Sequence, residues 1–148
     1  MPEAARAVPE PATAGDVAIV LHSHMPYVEG FGTYPFGEEW LFDAVARSYL
    51  PVLEAAERLT VTVTPVLADQ LEADGVGERM LEFIERHRLG AAERDAAEAE
   101  APLRAAAAAD AEGCRRAISR LQELDGDALR AFQEANGRIE LMASAATH

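Results

Sequence analysis

Asp16-Val17-Ala18-Ile19-Val20-Leu21 runs straight into His22-Ser23-His24-Met25-Pro26. The reading of this stretch decides the fold. A short, continuous apolar run with β-branched residues suits a strand buried on both faces, as in a parallel sheet. Pro26 has no amide hydrogen and closes the strand. His22 and His24 are thereby left at its C-terminal mouth.

Working outward, Gly30, Gly32, Pro35 and Gly37 mark a loop over residues 29–37. A helix is expected over about residues 38–59, with Leu41, Val45, Val52, Ala56 and Leu59 near one face. Pro51 should kink it or begin a second segment. Val61-Thr62-Val63-Thr64 reads as a second strand closed by Pro65, and two short helices over 66–74 and 78–88 follow, separated by Gly75 and Gly77. Residues 90–113 are Ala, Glu and Asp with scattered Arg, helical by propensity but short of anything to bury. Two readings stand: a peripheral helical insertion interrupted at Pro102 and Gly113, or a flexible linker. From Cys114 the pattern recovers, with Ile118 and Leu121 on the same face. Asp125-Gly126 stops that helix, Asp127 caps the next, and Asn136-Gly137 ends it. Residues 138–142 form a third strand, with Ala143 to His148 after it.

The order strand, helix, strand, helices, strand implies an α/β fold with parallel strands and crossover helices. Functional residues in such folds gather at strand C-terminal ends, where His22, His24 and His148 all fall. Three strands leave an open sheet edge, so the chain reads as part of a larger barrel. His87, between Arg86 and Arg88 near a helix end, reads as solvated.

Composition narrows the partners. The chain of 148 residues is 49% hydrophobic, yet 31 of its residues are Ala, which bury little area each. It has 13 basic residues, all Arg, against 26 acidic ones, a formal charge of −13. Nucleic acid and anionic membranes both need a basic footprint and are excluded as partners. A neutral sugar polymer is compatible. The single cysteine, Cys114, excludes an internal disulfide and fits a reducing compartment. Residues 1–15, rich in Pro and Ala with no apolar core, read as a disordered tail rather than a signal peptide. No segment approaches the roughly 20 apolar residues of a membrane span. The expected location is the cytoplasm.

The His22-x-His24 pair has two functional readings. Neutral imidazoles at alternate positions bind zinc or a similar ion; in a sugar site they hydrogen-bond hydroxyls near the anomeric carbon. A third reading is a core histidine satisfied by backbone. The pair alone does not choose among them.

Longer strings add a resemblance. Leu21-His22-Ser23-His24-Met25-Pro26-Tyr27 and Tyr34-Pro35-Phe36-Gly37-Glu38-Glu39-Trp40-Leu41 strongly resemble the opening of the α-glucan branching enzymes of glycoside hydrolase family 57. The segment from Thr64 to Leu71 is similar to the one that follows there, and Ile139 to His148 to their second signature. The match covers residues 16–84 and 126–148 and says little of 1–15 or 90–113. It implies that residues 16–148 are the N-terminal part of an incomplete (β/α)7 barrel, with the helical insertion at about 90–113. It also implies retaining chemistry on an α-glucan such as glycogen, forming α-1,6 branches in two steps. A glutamate nucleophile and an aspartate acid/base, roughly 5–5.5 Å apart in retaining enzymes, lie beyond the positions matched here, so no catalytic residue is assigned. By position, His22 and His148 would contact the sugar beside the scissile bond, with His24 supporting. Trp40 would stack on glucose or pack in the core. No metal or cofactor is implied, and the 148 residues alone are expected to be inactive. Three alternatives stay open: an α-glucan hydrolase of amylase type, a non-catalytic glucan-binding remnant, and a metal-dependent hydrolase barrel using His22 and His24.

Overall fold

The computed structural model describes residues 15–146. The expected disordered tail, apart from Gly15, and His148 therefore lie outside the described residues. Three strands, β1 (Val20–Ser23), β2 (Thr60–Val63) and β3 (Glu140–Ala143), form a parallel sheet in the order β1-β2-β3. The parallel α/β expectation is met. The register aligns Val20, Thr60 and Glu140 in one row and His22, Thr62 and Met142 in the next.

Between β1 and β2 the chain is helical over residues 39–55: α1 (Glu39–Ala44), a π-helical turn (Val45–Tyr49) and α2 (Leu50–Ala55). Pro51 neither kinks nor breaks it. It sits in the first turn of α2, where the preceding turn has widened so that Leu50 N bonds Val45 O. The helix ends at Ala55 rather than near Leu59, because Ala56 turns extended and Arg58 takes a positive φ of 58°.

From β2, Thr64 caps α3 (Pro65–Leu71), its hydroxyl accepting from Leu67 N at 3.3 Å. A second composite helix follows: α4 (Val76–Phe83), a π-helical turn (Ile84–Leu89) and α5 (Gly90–Glu98). The segment expected to stop near Arg88 thus continues to Glu98. It folds back against α6 (Ala101–Glu123), so residues 90–113 form a helical hairpin and not a linker. Pro102 begins α6, where its missing N–H costs nothing, and Gly113 is carried through without a break. Asp127 caps α7 (Ala128–Ala135) by accepting from Arg130 N at 3.1 Å.

The core lies between the helices and one face of the sheet. Leu41, Phe42, Leu53, Leu67, Met80, Phe83, Ile84, Leu121 and Phe132 pack with Val61, while Val63 and Leu141 lean on the same cluster. Phe42 and Phe83 meet with ring centroids 5.8 Å apart. Cys114 is buried in this core, as its pattern implied, and burial pushes its thiol pKa up. Arg138, at the foot of β3, donates to the carbonyls of Leu53, Glu54 and Ala56 at 2.8, 3.3 and 3.2 Å. It thereby satisfies carbonyls at the end of α2 that have no helical partner.

One expectation fails at β1. It was read as buried on both faces, but Val20, Leu21 and the preceding Val17 and Ile19 are exposed. The reason is geometric: β1 is an edge strand with one neighbour, and helices cover only one side of the sheet.

Candidate functional site

Strand alternation sorts the sheet into two faces. Val61, Val63 and Leu141 point at the helices. Val20, His22, Thr60, Thr62, Glu140 and Met142 therefore share the opposite, helix-free face, which is mostly polar. On it Thr60 Oγ1 donates to Glu140 Oε2 at 2.7 Å, and His22 Nδ1 lies 2.6 Å from Thr62 Oγ1. The second contact is the more informative. It ties one ring nitrogen to the central strand, so Nε2 is the nitrogen directed away from that bond.

His24 lies just beyond β1, with its ring nearly parallel to that of His22 and centroids 6.1 Å apart. The two histidines are thus brought together, at the C-terminal end of the sheet. Among the described residues no group of three or more His, Cys, Asp or Glu side chains is arranged to hold a metal ion. Trp40 sits in the first turn of α1 and is half exposed at 50%, between buried Glu39 and Leu41. Its core reading is set aside by that position.

The loop between β1 and α1 is held by side chains that sequence reading missed. Gln70, wholly buried on α3, accepts from Val28 N at 2.6 Å and donates to Pro26 O at 3.2 Å and Val66 O at 3.1 Å. Tyr49 donates its hydroxyl to the His24 carbonyl at 2.9 Å, and its own burial raises its pKa. Arg79 on α4 grips the buried Glu38 carboxylate with two bonds, Nε to Oε2 at 2.9 Å and Nη2 to Oε1 at 2.6 Å. These hydrogen bonds to Glu38 raise the Arg79 pKa. The one local signal that could have been used was the alternation Thr60-Val61-Thr62-Val63, which writes a polar face beside an apolar one.

Two backbone features tighten the same loop. A Cβ at Gly37 would stand 1.9 Å from the Gly32 carbonyl oxygen, so only glycine fits. Phe36 next to it has a positive φ of 64°, a conformation costing a bulky residue about 1–3 kcal/mol unless its surroundings impose it. Here Phe36 N donates to Glu39 Oε1 at 2.8 Å. His87, expected to be solvated at a helix end, instead lies within the continuous helix and stacks between Tyr34 and Phe83, at 5.3 and 5.4 Å.

The 1,4-alpha-glucan branching enzyme TK1436 of Thermococcus kodakarensis is 34% identical over 145 residues, taking in 90% of this chain and 21% of that protein. The crystal structure of the GH57-type branching enzyme from Pyrococcus horikoshii superposes with a TM-score of 0.74 at 37% identity, covering 87% of this chain and 26% of the other. The chain is a homologue of the GH57-type branching enzymes. TK1436 crystallised with glucose superposes with a TM-score of 0.73 at 32% identity, over 87% of this chain and 25% of that one. The α-amylase AmyC from Thermotoga maritima matches as well, with a TM-score of 0.73 at 26% identity over 85% of this chain and 26% of its own. No family model matches. The chain spans between a fifth and about a quarter of the length of these relatives. Among the described residues no helix is long and apolar enough to cross a membrane.

Proposed function

We propose that this chain is the N-terminal part of an incomplete (β/α)7 barrel of a 1,4-α-glucan branching enzyme. In this reading residues 16–148 belong to the catalytic barrel and the helical hairpin over 90–113 is a peripheral insertion. The enzyme works in the cytoplasm on a glycogen-like α-glucan and makes α-1,6 branches by the retaining, two-step route. His22, His24, Trp40 and His148 line the substrate site. The nucleophilic Glu and the acid/base Asp match no position of this chain, so the 148 residues bind glucan and do not branch it.

The observation that carries the reading is the His22–Thr62 contact on the helix-free face, at the strand ends where barrels hold substrate. An imidazole fixed at Nδ1 can offer Nε2 to a sugar hydroxyl or to developing charge near the anomeric carbon. Thr62 presets that geometry, which lowers the ordering cost of binding. The net charge of −13 is consistent with a neutral polymer and with no polyanion. The test is calorimetric titration of maltoheptaose into the protein and into His22→Ala. Binding that weakens about tenfold in the variant supports the reading, in line with loss of a hydrogen bond to a polar ligand. Absence of binding to the unaltered protein sinks it. Appearance of α-1,6 anomeric signals in its reaction with amylose would overturn the claim that the chain alone is inactive.

The likeness to AmyC favours one second reading, an α-glucan hydrolase on the same scaffold. Water and an acceptor sugar compete for one glycosyl-enzyme intermediate, so the two outcomes share every group described above.

A further inference from the structure

Tyr27, Phe31, Tyr34, Phe36 and Trp40 are all exposed, and all lie within one stretch of fourteen residues. So dense an exposed aromatic patch marks a binding surface. Two of the five are already engaged, since Tyr34 stacks on His87 and the Tyr27 hydroxyl donates to Glu29. Phe36 differs from the rest. It is 77% exposed, and its backbone is nevertheless held in the left-handed region, where a bulky side chain is disfavoured.

The surroundings impose that conformation. Glu39, itself buried, accepts the Phe36 amide on Oε1, while its buried Oε2 has no partner among the described residues. Glu38 N and Glu39 N donate to the carbonyls of Gly32 and Thr33 at 2.9 and 3.0 Å, pinning the two ends of the turn together. Gly37 presses against Gly32, leaving no room for a side chain. A buried carboxylate and a strained backbone are thus used to hold an apolar ring in water. Folding gains nothing from that ring, which makes ligand binding the remaining use for it.

We propose that Phe36 is a stacking residue for the α-glucan chain and that Glu39 is the positioning residue that holds it; this rests on the glucan reading above. The ring has no hydrogen-bonding group and offers only a flat apolar face. The axial C–H face of a glucose unit is its chemical complement, and a neutral sugar meets no repulsion from an acidic chain. Trp40, half exposed on the other side of Gly37, offers a second ring for the next part of the polymer.

The experiment is calorimetric titration of maltoheptaose into the 148-residue protein and into Phe36→Ala, Phe36→Trp, Glu39→Ala and Glu39→Gln, with melting temperatures taken on the same samples. Phe36→Ala is expected to weaken binding about fivefold, the worth of one aromatic contact, at an unchanged melting temperature. Phe36→Trp keeps the affinity. Glu39→Ala follows Phe36→Ala, and Glu39→Gln, whose amide oxygen still accepts from Phe36 N, restores binding. Unaltered affinity in Phe36→Ala overturns the proposal and leaves the glucan reading intact. Equal loss in Glu39→Gln and Glu39→Ala removes Glu39 from it. No binding by the unaltered protein overturns the glucan reading, and this proposal with it.

Discussion

The loop from His24 to Glu38 and the hairpin of α5 and α6 are both short of regular core, yet they are held in opposite ways. The loop has almost no secondary structure, but distant side chains grip it: Gln70, Tyr49 and Arg79 reach it from three different helices. The hairpin is regular throughout, but its outer half is alanine, and its charged contacts, such as Arg115 with Glu93 and Glu112, lie at the surface. Order in the hairpin comes from propensity, residue by residue. Order in the loop comes from specific long-range bonds, so single substitutions should act very differently in the two places.

The largest contrast is expected from one substitution made twice. Gly37→Ala puts a Cβ 1.9 Å from the Gly32 carbonyl oxygen and should cost about 3 kcal/mol in urea denaturation, with visible loss of loop order. Gly113→Ala meets only the flexible end of Arg116 at 3.9 Å, in the middle of α6, and should stabilise by about 1 kcal/mol. A destabilising Gly113→Ala would show that the hairpin is packed more tightly than its exposure suggests.

Between these lies Arg79→Ala. It strips the buried Glu38 of its partner, and because Arg79 itself is one-third exposed at 34%, about 2 kcal/mol is expected rather than the full cost of a buried pair. Proton–deuterium exchange at the amides of Glu38 and Glu39 should rise with it; unchanged exchange would mean the loop does not depend on this grip. The smallest effect is expected from Arg115→Ala. Its pairs are half exposed, so a change below about 0.5 kcal/mol should be seen, vanishing in high salt.

Much of the fold was legible because its punctuation is local. Pro26 and Pro65 end strands, Thr64 and Asp127 cap helices, and an apolar run between such marks can be little else in a βαβ order. His22 and His24 were legible as a pair for the same reason. The two π-helical turns were not, since they widen helices whose apolar spacing reads as ordinary. Thr62 was passed over as a plain strand residue, although it is the partner of His22 across 40 positions of sequence. Gln70 and Arg79 were equally silent, because their partners at Val28 and Glu38 lie more than 40 residues away.

The sequence by itself determined what depends on neighbours in the chain: three parallel strands, the crossover helices, the caps, the acidic surface, and a histidine pair at a strand mouth. Only the tertiary structure decided that β1 is exposed, that His22 is fixed by Thr62, that Trp40 stands outside the core, and that Phe36 is held strained in solvent. The physical reason is range. Propensity, capping and periodicity act over a few residues, whereas burial and side-chain hydrogen bonds depend on which distant elements the folded chain brings together.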